Sequence, residues 1–364
     1  LAPALYLTDI LASILILIHL PRLPQKFSFL FFLLCSFVVL NILSAYNPFI
    51  AIYRWAKIIE IILLFIVVSR ICINYKKLLI IFLGSSIVQM VLGLLQISYG
   101  TSMQGIWYFL GERSFNLSTP TIAKVSMQGV EILRAYGSFS HPNSLGGFFT
   151  LLYTYILFSS SYNHLKILRY TTLSVMTLLV VLSFSKIAIV TYLLVTSYYA
   201  LKDGSKSCYI CSFSKIIIAF CIAFIFLQAK GDSHTLEKRI YLNTSAFHIF
   251  AQHLWTGTGI GNYLYAQSNI PNPYPYHFLE PVHNIALLAL TELGTPLFVL
   301  LLYSARPALK WITSNPATIA LVCVVLFTGM FDHYWLTLQQ NILLLPLLFA
   351  LLKNEVKYDK IERT

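Results

Sequence analysis

Long apolar runs, separated by shorter polar connections, dominate the chain and predict transmembrane helices. An α-helix needs about 20 apolar residues to cross the hydrocarbon core of a bilayer, and runs approaching that length recur along the sequence. The pattern predicts an all-α fold, a polytopic transmembrane helix bundle with two long loops. The eleven expected spans lie at residues 4–20, 28–46, 56–71, 78–97, 143–160, 170–185, 187–201, 216–229, 284–303, 317–333 and 336–352.

Two stretches, 170–201 and 317–352, are apolar enough to be mistaken for single long helices. Lys186 lies inside the first stretch, and the pair Asp332 and His333 lies inside the second. Because a charge in the middle of a membrane is costly, polar residues here favour a break in the helix over a continuous span. Each stretch is therefore divided into two spans.

Composition excludes several classes of protein. Hydrophobic residues make up 58% of the chain and charged residues only 10%, whereas soluble domains carry about 25% charged residues. The mean hydropathy is +0.75. These values exclude a soluble globular enzyme, a disordered protein and a disulfide-stapled secreted module. The net charge of +12 does not indicate a nucleic-acid partner, since the basic residues are dispersed between apolar runs.

The distribution of the basic residues predicts the side of the membrane that each connection faces. Most of the 25 lysines and arginines fall on one side, in short connections and in the C-terminal tail. That side is cytoplasmic by the positive-inside rule, so both long loops face outward. We divide the chain into N-terminal helices (1–97), a first outer loop (98–142), central helices (143–229), a second outer loop with an interfacial helix (230–283), C-terminal helices (284–352) and a cytoplasmic tail (353–364).

The first outer loop ends in a polar segment that leads into a span. Arg134 lies at the expected membrane interface, where an arginine can bind a phosphate bidentately. His141, Pro142 and Asn143 follow, and they also fit an ordinary helix start in which Asn143 or Ser144 caps the first turn. The sequence leaves both interpretations of this segment open.

The second outer loop has three parts. Residues 237–255 show the spacing of an amphipathic helix lying along the interface, with Arg239 in its first turn. A glycine-rich run at 257–262 follows, and it favours a tight turn at the helix end. The segment 271–281 is rich in proline and aromatic residues, which suits either an interfacial aromatic belt or stacking on a sugar ring.

His283 opens the ninth span and is followed by Asn284. A histidine at the mouth of a span is well placed to accept a proton, although it could also act only as a helix cap. Glu292 lies inside the same span and marks a polar interior, while Asp332 and His333 are expected at the outer face with His283. The sequence has neither a zinc-protease motif nor an aspartate-rich cluster, so we expect no metal and no other cofactor.

Three stretches together resemble the O-antigen ligase and O-antigen polymerase superfamily. Residues 134–143 are similar to the family pattern R-x-x-G-x-F-x-x-P-N, and Arg239 precedes the glycine run at 257–262. The most specific stretch is His283-Asn284, then nine residues, then Gly294. Leu297 departs from the ligase pattern, which has a small or β-branched residue there. The resemblance extends over about residues 78–350, with sharp motifs only in the two loops.

The resemblance implies a bacterial cytoplasmic-membrane glycosyltransferase with its catalytic loops outside. Such proteins have about twelve helices, which the eleven spans would reach if one more N-terminal helix preceded them. The implied reaction moves a glycan from undecaprenyl pyrophosphate to a hydroxyl acceptor without a metal and with inversion. By resemblance, Arg134 and Arg239 bind the pyrophosphate and His283 is the general base. The polar residues that would support this site are Asn284, Glu292, Asp332 and His333.

The acceptor is not specified by these motifs. A ligase uses a lipid core, an O-antigen or polysaccharide polymerase uses another glycan, and a protein O-oligosaccharyltransferase uses a protein. A polysaccharide or lipid flippase would share the hydropathy and the internal positive charges. A flippase would, however, be expected to carry polar residues along a continuous pathway and not only at the outer mouth.

Overall fold

The computed structural model describes residues 4–19, 28–127, 129–202, 235–272 and 279–361, and most of these residues are helical. The α-helices are α1 (Leu7–Ile18), α2 (Phe29–Leu43), α3 (Pro48–Val68), α4 (Tyr75–Tyr99), α5 (Ile106–Phe109), α6 (Pro142–Phe158), α7 (Lys166–Leu182), α8 (Lys186–Lys202), α9 (Thr235–Gln252), α10 (Tyr263–Ser268), α11 (Ile285–Leu293), α12 (Thr295–Ser304), α13 (Arg306–Ser314), α14 (Pro316–Gly329), α15 (Tyr334–Thr337) and α16 (Gln339–Ile361). A single 3₁₀ turn, Ser160–Tyr162, follows α6.

Among the described residues, a short β-hairpin in the first long loop departs from an all-α fold. Strands β1 (Lys124–Met127) and β2 (Val130–Leu133) pair antiparallel, with Lys124 opposite Leu133. Gly129 adopts a φ of +83° at the turn, a conformation that glycine takes without steric cost. The predicted site residue Arg134 follows directly after β2.

Few helices in the described part of the chain are long and apolar enough to cross a membrane. Among the described helices, α4 is long and apolar enough by itself. Two bent pairs of helices, α11 with α12 and α13 with α14, would raise the number of candidate spans to three if each pair formed one span. The eleven predicted spans are therefore not confirmed as a count. The predicted span 216–229 lies outside the described residues.

Both breaks predicted from polar residues are confirmed. Helix α7 ends at Leu182 and α8 begins at Lys186, with Phe184 between them at a φ of +49°. Helix α14 ends at Gly329, and Asp332 and His333 lie in the irregular segment before α15. Both breaks expose backbone polar groups: the carbonyl oxygen of Ser183 accepts a hydrogen bond from Arg134, and the backbone nitrogen of His333 donates one to Asp332.

The predicted span at 284–303 is not one straight helix, because the helix breaks at Gly294. Helices α11 and α12 meet there at a bend of 116°. Gly294 adopts a φ of +73°, and a Cβ at this position would lie 2.6 Å from the backbone nitrogen of Gly257. Hydropathy cannot reveal this break, since its cause is the close approach of two backbones distant in sequence.

Helix α6 is the centre of the largest hydrophobic cluster, and nearly every residue from Pro142 to Leu157 is buried. Gly146 and Gly147 let it pack closely, because a Cβ on Gly147 would overlap the Tyr334 ring. A helix held on all sides by well-packed neighbours has little freedom to move. The first turn of α6 therefore gives the adjacent polar segment a fixed position.

Candidate functional site

Three non-helical segments between helices bring polar side chains together at one end of α6. His141 and Asn143 come from the start of α6, His283 from the segment before α11, and Asp332 and His333 from the break after α14. The rings of His283 and His333 are 5.2 Å apart between centroids. The potential ligand atoms of His283, Asp332 and His333 all lie within 4.8 Å of one another. We call these three residues the His–Asp–His cluster.

Arg134 is fixed beside the cluster by two hydrogen bonds. Its Nε donates to the carbonyl oxygen of Ser183, 2.9 Å away, in the break between α7 and α8. Its Nη2 donates to Oδ1 of Asn143 at 2.6 Å. Two such bonds restrain a guanidinium group that would otherwise sample many rotamers. The side chain remains partly exposed, so it can still contact a ligand.

Asn143 connects Arg134 to Asp332. Its Oδ1 accepts from Arg134, and its Nδ2 donates to Oδ2 of Asp332 at 2.9 Å. Arginine has only donors and an ionised carboxylate only acceptors, so the amide can satisfy both partners in one orientation alone. The prediction that Asn143 or Ser144 caps α6 is wrong, since the cap is His141, whose Nδ1 accepts from the backbone nitrogen of Asn143 at 3.1 Å.

Asp332 is buried, with 7% of its surface exposed. Its Oδ1 accepts from the backbone nitrogen of His333 at 2.8 Å, in addition to the amide of Asn143 on the other oxygen. Burial raises the pKa of this carboxyl group, but the imidazoles of His333, His283 and His141 and the Asn143 amide outweigh burial and lower the pKa below its usual value. Asp332 is therefore ionised at neutral pH.

His283 is not the cap of α11. Asn284 is the cap, because its Oδ1 accepts from the backbone nitrogen of Leu287 at 3.0 Å. The Nδ1 atom of His283 is buried and has no hydrogen-bond partner among the described residues. Burial, followed by the charges of His333 and Arg239, lowers the pKa of His283 to about 4 although Asp332 opposes the shift. The ring is therefore neutral at pH 7 and able to accept a proton.

Arg239 lies in the first turns of α9, and this helix is present where the sequence predicts it. Burial lowers the pKa of Arg134 to about 10, and the positive charge of Arg239 contributes to that shift. Arg239 also contributes to the low pKa of His283. Helix α9 packs on α11, the helix that begins directly after His283 and Asn284, so Arg239 belongs to the same part of the molecule as the cluster. Two arginine charges in this part of the molecule favour an anion.

Glu292 is separate from this cluster. Its carboxylate accepts from the backbone nitrogens of Gly261 and Tyr263, the latter at 3.4 Å. The buried Asn41 amide binds the backbone oxygens of Glu292 and Thr256 at 2.9 and 2.8 Å. Glu292 therefore holds the glycine-rich run against α11, and any support it gives the site acts through this packing.

Two histidines and one carboxylate also form a donor set that suits a divalent transition metal. Some of these donors already have protein partners: Nδ1 of His333 lies 2.7 Å from Oγ1 of Thr337, and both oxygens of Asp332 accept hydrogen bonds. The expectation of a reaction without a metal stays a prediction, and the effect of a chelator on turnover would test it.

Sequence reasoning missed the two groups that position Arg134, namely Ser183 and Asn143. Asn143 stood inside a recognised motif, but its local pattern fits a helix cap equally well. Ser183 carried no signal, since its contribution is a backbone carbonyl exposed by the helix break. Contacts of this kind depend on how distant loops meet in space.

Residues 171–302 match the family model of the O-antigen ligases. The matched part contains Arg239, the glycine-rich run, His283 and Gly294, and Arg134 lies before it. No curated protein matches the chain. The match over residues 171–302 supports the resemblance of this chain to the O-antigen ligase and polymerase superfamily.

Proposed function

We propose that this protein is a membrane glycosyltransferase that moves a glycan from undecaprenyl pyrophosphate to a hydroxyl acceptor on the outer face of a bacterial cytoplasmic membrane. The family match supports a ligase-type or polymerase-type activity. The observation that carries the proposal is the His–Asp–His cluster with Arg134 fixed beside it through Asn143, and helix α9 adds the positive charge of Arg239. The reaction is inverting and uses no metal.

The two arginines bind the leaving pyrophosphate. Negative charge grows on the bridging oxygen as the bond between sugar and phosphate breaks, so fixed cations lower the barrier most in the transition state. Arg134 is already oriented by Asn143 and Ser183, and it therefore loses little conformational freedom on binding. Arg239 approaches from a different helix, which allows the pair to contact both phosphates.

His283 takes the proton of the acceptor hydroxyl, and the hydroxyl oxygen attacks the anomeric carbon from the side opposite the pyrophosphate. The free histidine is a weak base because its pKa is about 4. A bound pyrophosphate places negative charge beside the ring, which raises the pKa toward the working pH. The ionised Asp332 stabilises the imidazolium that forms. Donor binding therefore activates the base.

Purified protein in detergent, supplied with a glycan on undecaprenyl pyrophosphate and candidate acceptors, tests the proposal directly. We expect transfer by the wild type and a loss of about 10²-fold or more in kcat for His283→Gln, which keeps a hydrogen-bonding side chain but no basic nitrogen. Lys124→Ala is the control, since Lys124 pairs with Glu131 on the exposed hairpin of the first long loop.

Three acceptors separate the alternatives within the family. Transfer to a lipid core identifies a ligase, elongation of a second glycan identifies a polymerase, and transfer to a protein hydroxyl identifies an oligosaccharyltransferase. A flippase would leave the donor unchanged in detergent, where it has no bilayer to work across. Full activity of His283→Gln would refute the assignment of the base, whichever acceptor is used.

A further inference from the structure

An exposed apolar segment follows the end of α4. In residues 106–110 the exposed fractions are 77% for Ile106, 58% for Tyr108, 86% for Phe109 and 60% for Leu110, and no residue of the short helix α5 is buried. We call residues 106–110 the aromatic wedge. Large apolar residues exposed side by side usually mark a contact surface.

The wedge is held in a defined shape by a buried carboxylate. Glu112, only 2% exposed, accepts from the backbone nitrogens of Met103 and Gln104 at 2.8 and 2.6 Å. It also accepts from Nε2 of Gln96 at 2.8 Å, which ties the base of the wedge to the last turns of α4. A buried carboxylate with three donors is costly to disturb. The exposed side chains therefore project from a rigid base.

Its position relative to α4 identifies the partner. Helix α4 is the described helix that passes the membrane-span test alone, and its 25 residues make it about 37 Å long. That length exceeds the ~30 Å hydrocarbon core, so the C-terminal end at Tyr99 reaches the headgroup region. The wedge begins a few residues later. Tryptophan and tyrosine are enriched at this depth, and phenylalanine and leucine are typical of apolar faces buried at the boundary between headgroups and acyl chains.

We propose that the aromatic wedge inserts into the membrane leaflet that meets the C-terminal end of α4. The wedge thereby fixes the height of the first long loop above the lipid. The residues that follow the wedge contact the segment leading to α6: Nη1 of Arg113 donates to the carbonyl oxygen of Ser140 at 2.7 Å. A Cβ on Gly111 would lie 3.7 Å from the carbonyl oxygen of Ser138. The wedge is thus joined to the segment that ends in His141 and Asn143.

Site-specific fluorescence tests the insertion without relying on activity. The full-length protein carries an NBD label at Phe109→Cys or, as the matched control, at Ser118→Cys in the polar exposed turn of the same loop. The native cysteines are replaced by serine or alanine. Each protein is reconstituted in nanodiscs of phosphatidylethanolamine and phosphatidylglycerol, with and without lipids that carry a doxyl quencher near the headgroup.

We expect the label at position 109 to emit at shorter wavelength than the label at 118 and to be quenched at least about twofold more by doxyl lipid. Equal quenching at the two positions, with equal access to aqueous iodide, would overturn the proposal. A blue shift at 109 without lipid quenching would also overturn it, because a second protein copy or another protein would then cover the wedge. Since these signals need no substrate, their outcome is independent of the proposed glycosyl transfer.

Discussion

Replacing Asn143 by aspartate tests the hydrogen-bonded connection between the arginine and the carboxylate. The change keeps the acceptor for Arg134 but removes the amide donor that lies 2.9 Å from Oδ2 of Asp332. Two carboxylates would then face each other across a contact that is attractive in the wild type. The variant is nearly isosteric, so its effect comes from charge and hydrogen bonding and not from volume.

The expected magnitude follows from the distance. With the two negative charges centred about 4 Å apart and an effective dielectric constant near 20, their repulsion is about 4 kcal/mol. Such a repulsion raises the pKa of one member of the pair, and the nearby Arg134 charge limits that rise. One proton is therefore shared between the two carboxyl groups only as the pH falls below neutrality, and the protonated carboxyl group of the variant can then donate to Asp332.

Transfer activity measured as kcat/KM between about pH 5 and pH 8 separates this account from a general loss of structure. We expect the kcat/KM of Asn143→Asp to be roughly 10- to 100-fold below that of the wild type at pH 8, because the new carboxylate makes one or two unfavourable contacts with charged groups. Part of this loss should be recovered as the pH falls. Asn143→Ala cannot regain a donor and should stay low at every pH. Asn116→Asp is the matched control, because Oδ1 of Asn116 accepts hydrogen bonds in an exposed turn and a carboxylate can do the same. If Asn143→Asp and Asn143→Ala show the same pH profile, the bridging role is refuted.

Three further predictions concern the same site. Arg239→Lys should lower kcat by about 10-fold or more although the positive charge is kept, since lysine lacks the planar guanidinium group that binds a phosphate through two hydrogen bonds. A kcat equal to that of the wild type would show that Arg239 does not bind the pyrophosphate. The acid limb of kcat/KM should lie near pH 4, because the pKa of free His283 is lowered to about 4 and the ring loses its basic form only below that value. In the pH profile of kcat, the acid limb should lie at higher pH, because the bound donor raises the pKa of His283. Acid limbs at the same pH in the kcat and kcat/KM profiles would contradict the activation of His283 by donor binding. A chelator should leave turnover unchanged, whereas a loss reversed by zinc or manganese would show that His283, Asp332 and His333 hold a metal.

The helical content and the two polar breaks could be predicted because they depend on local sequence. Lys186 and the Asp332–His333 pair are incompatible with a continuous apolar helix, and the chain breaks beside them. Arg134, Arg239 and His283 are far apart in sequence, so no distance between them could be predicted from their positions in the chain. Their grouping follows from the resemblance, and among the described contacts Asn143 connects Arg134 to Asp332 in the His–Asp–His cluster.

The hairpin and the bend at Gly294 escaped prediction for a different physical reason. Hydrophobic periodicity reports which face of a segment is buried, but it does not report which distant backbone approaches it. The backbones of Gly257 and Gly294 approach so closely that neither position has room for a side chain: a Cβ at Gly257 would lie 2.6 Å from the backbone nitrogen of Gly294. Neither glycine is distinguished by its own neighbours in the sequence from an ordinary turn glycine.

The contact between these glycines also explains how the site keeps its geometry. Helix α11 begins at the Asn284 cap, directly after His283, and ends at Gly294 against the glycine-rich run. Helix α9, which carries Arg239, packs on α11 through Ala246, Ile249 and Leu288. Both ends of α11 are therefore fixed relative to α9. A displacement of about 1 Å between reacting groups is enough to cost much of a catalytic rate. The glycine contact thus restricts the movement of α11, which begins after His283 and Asn284, relative to α9, which carries Arg239, although neither glycine belongs to the proposed site.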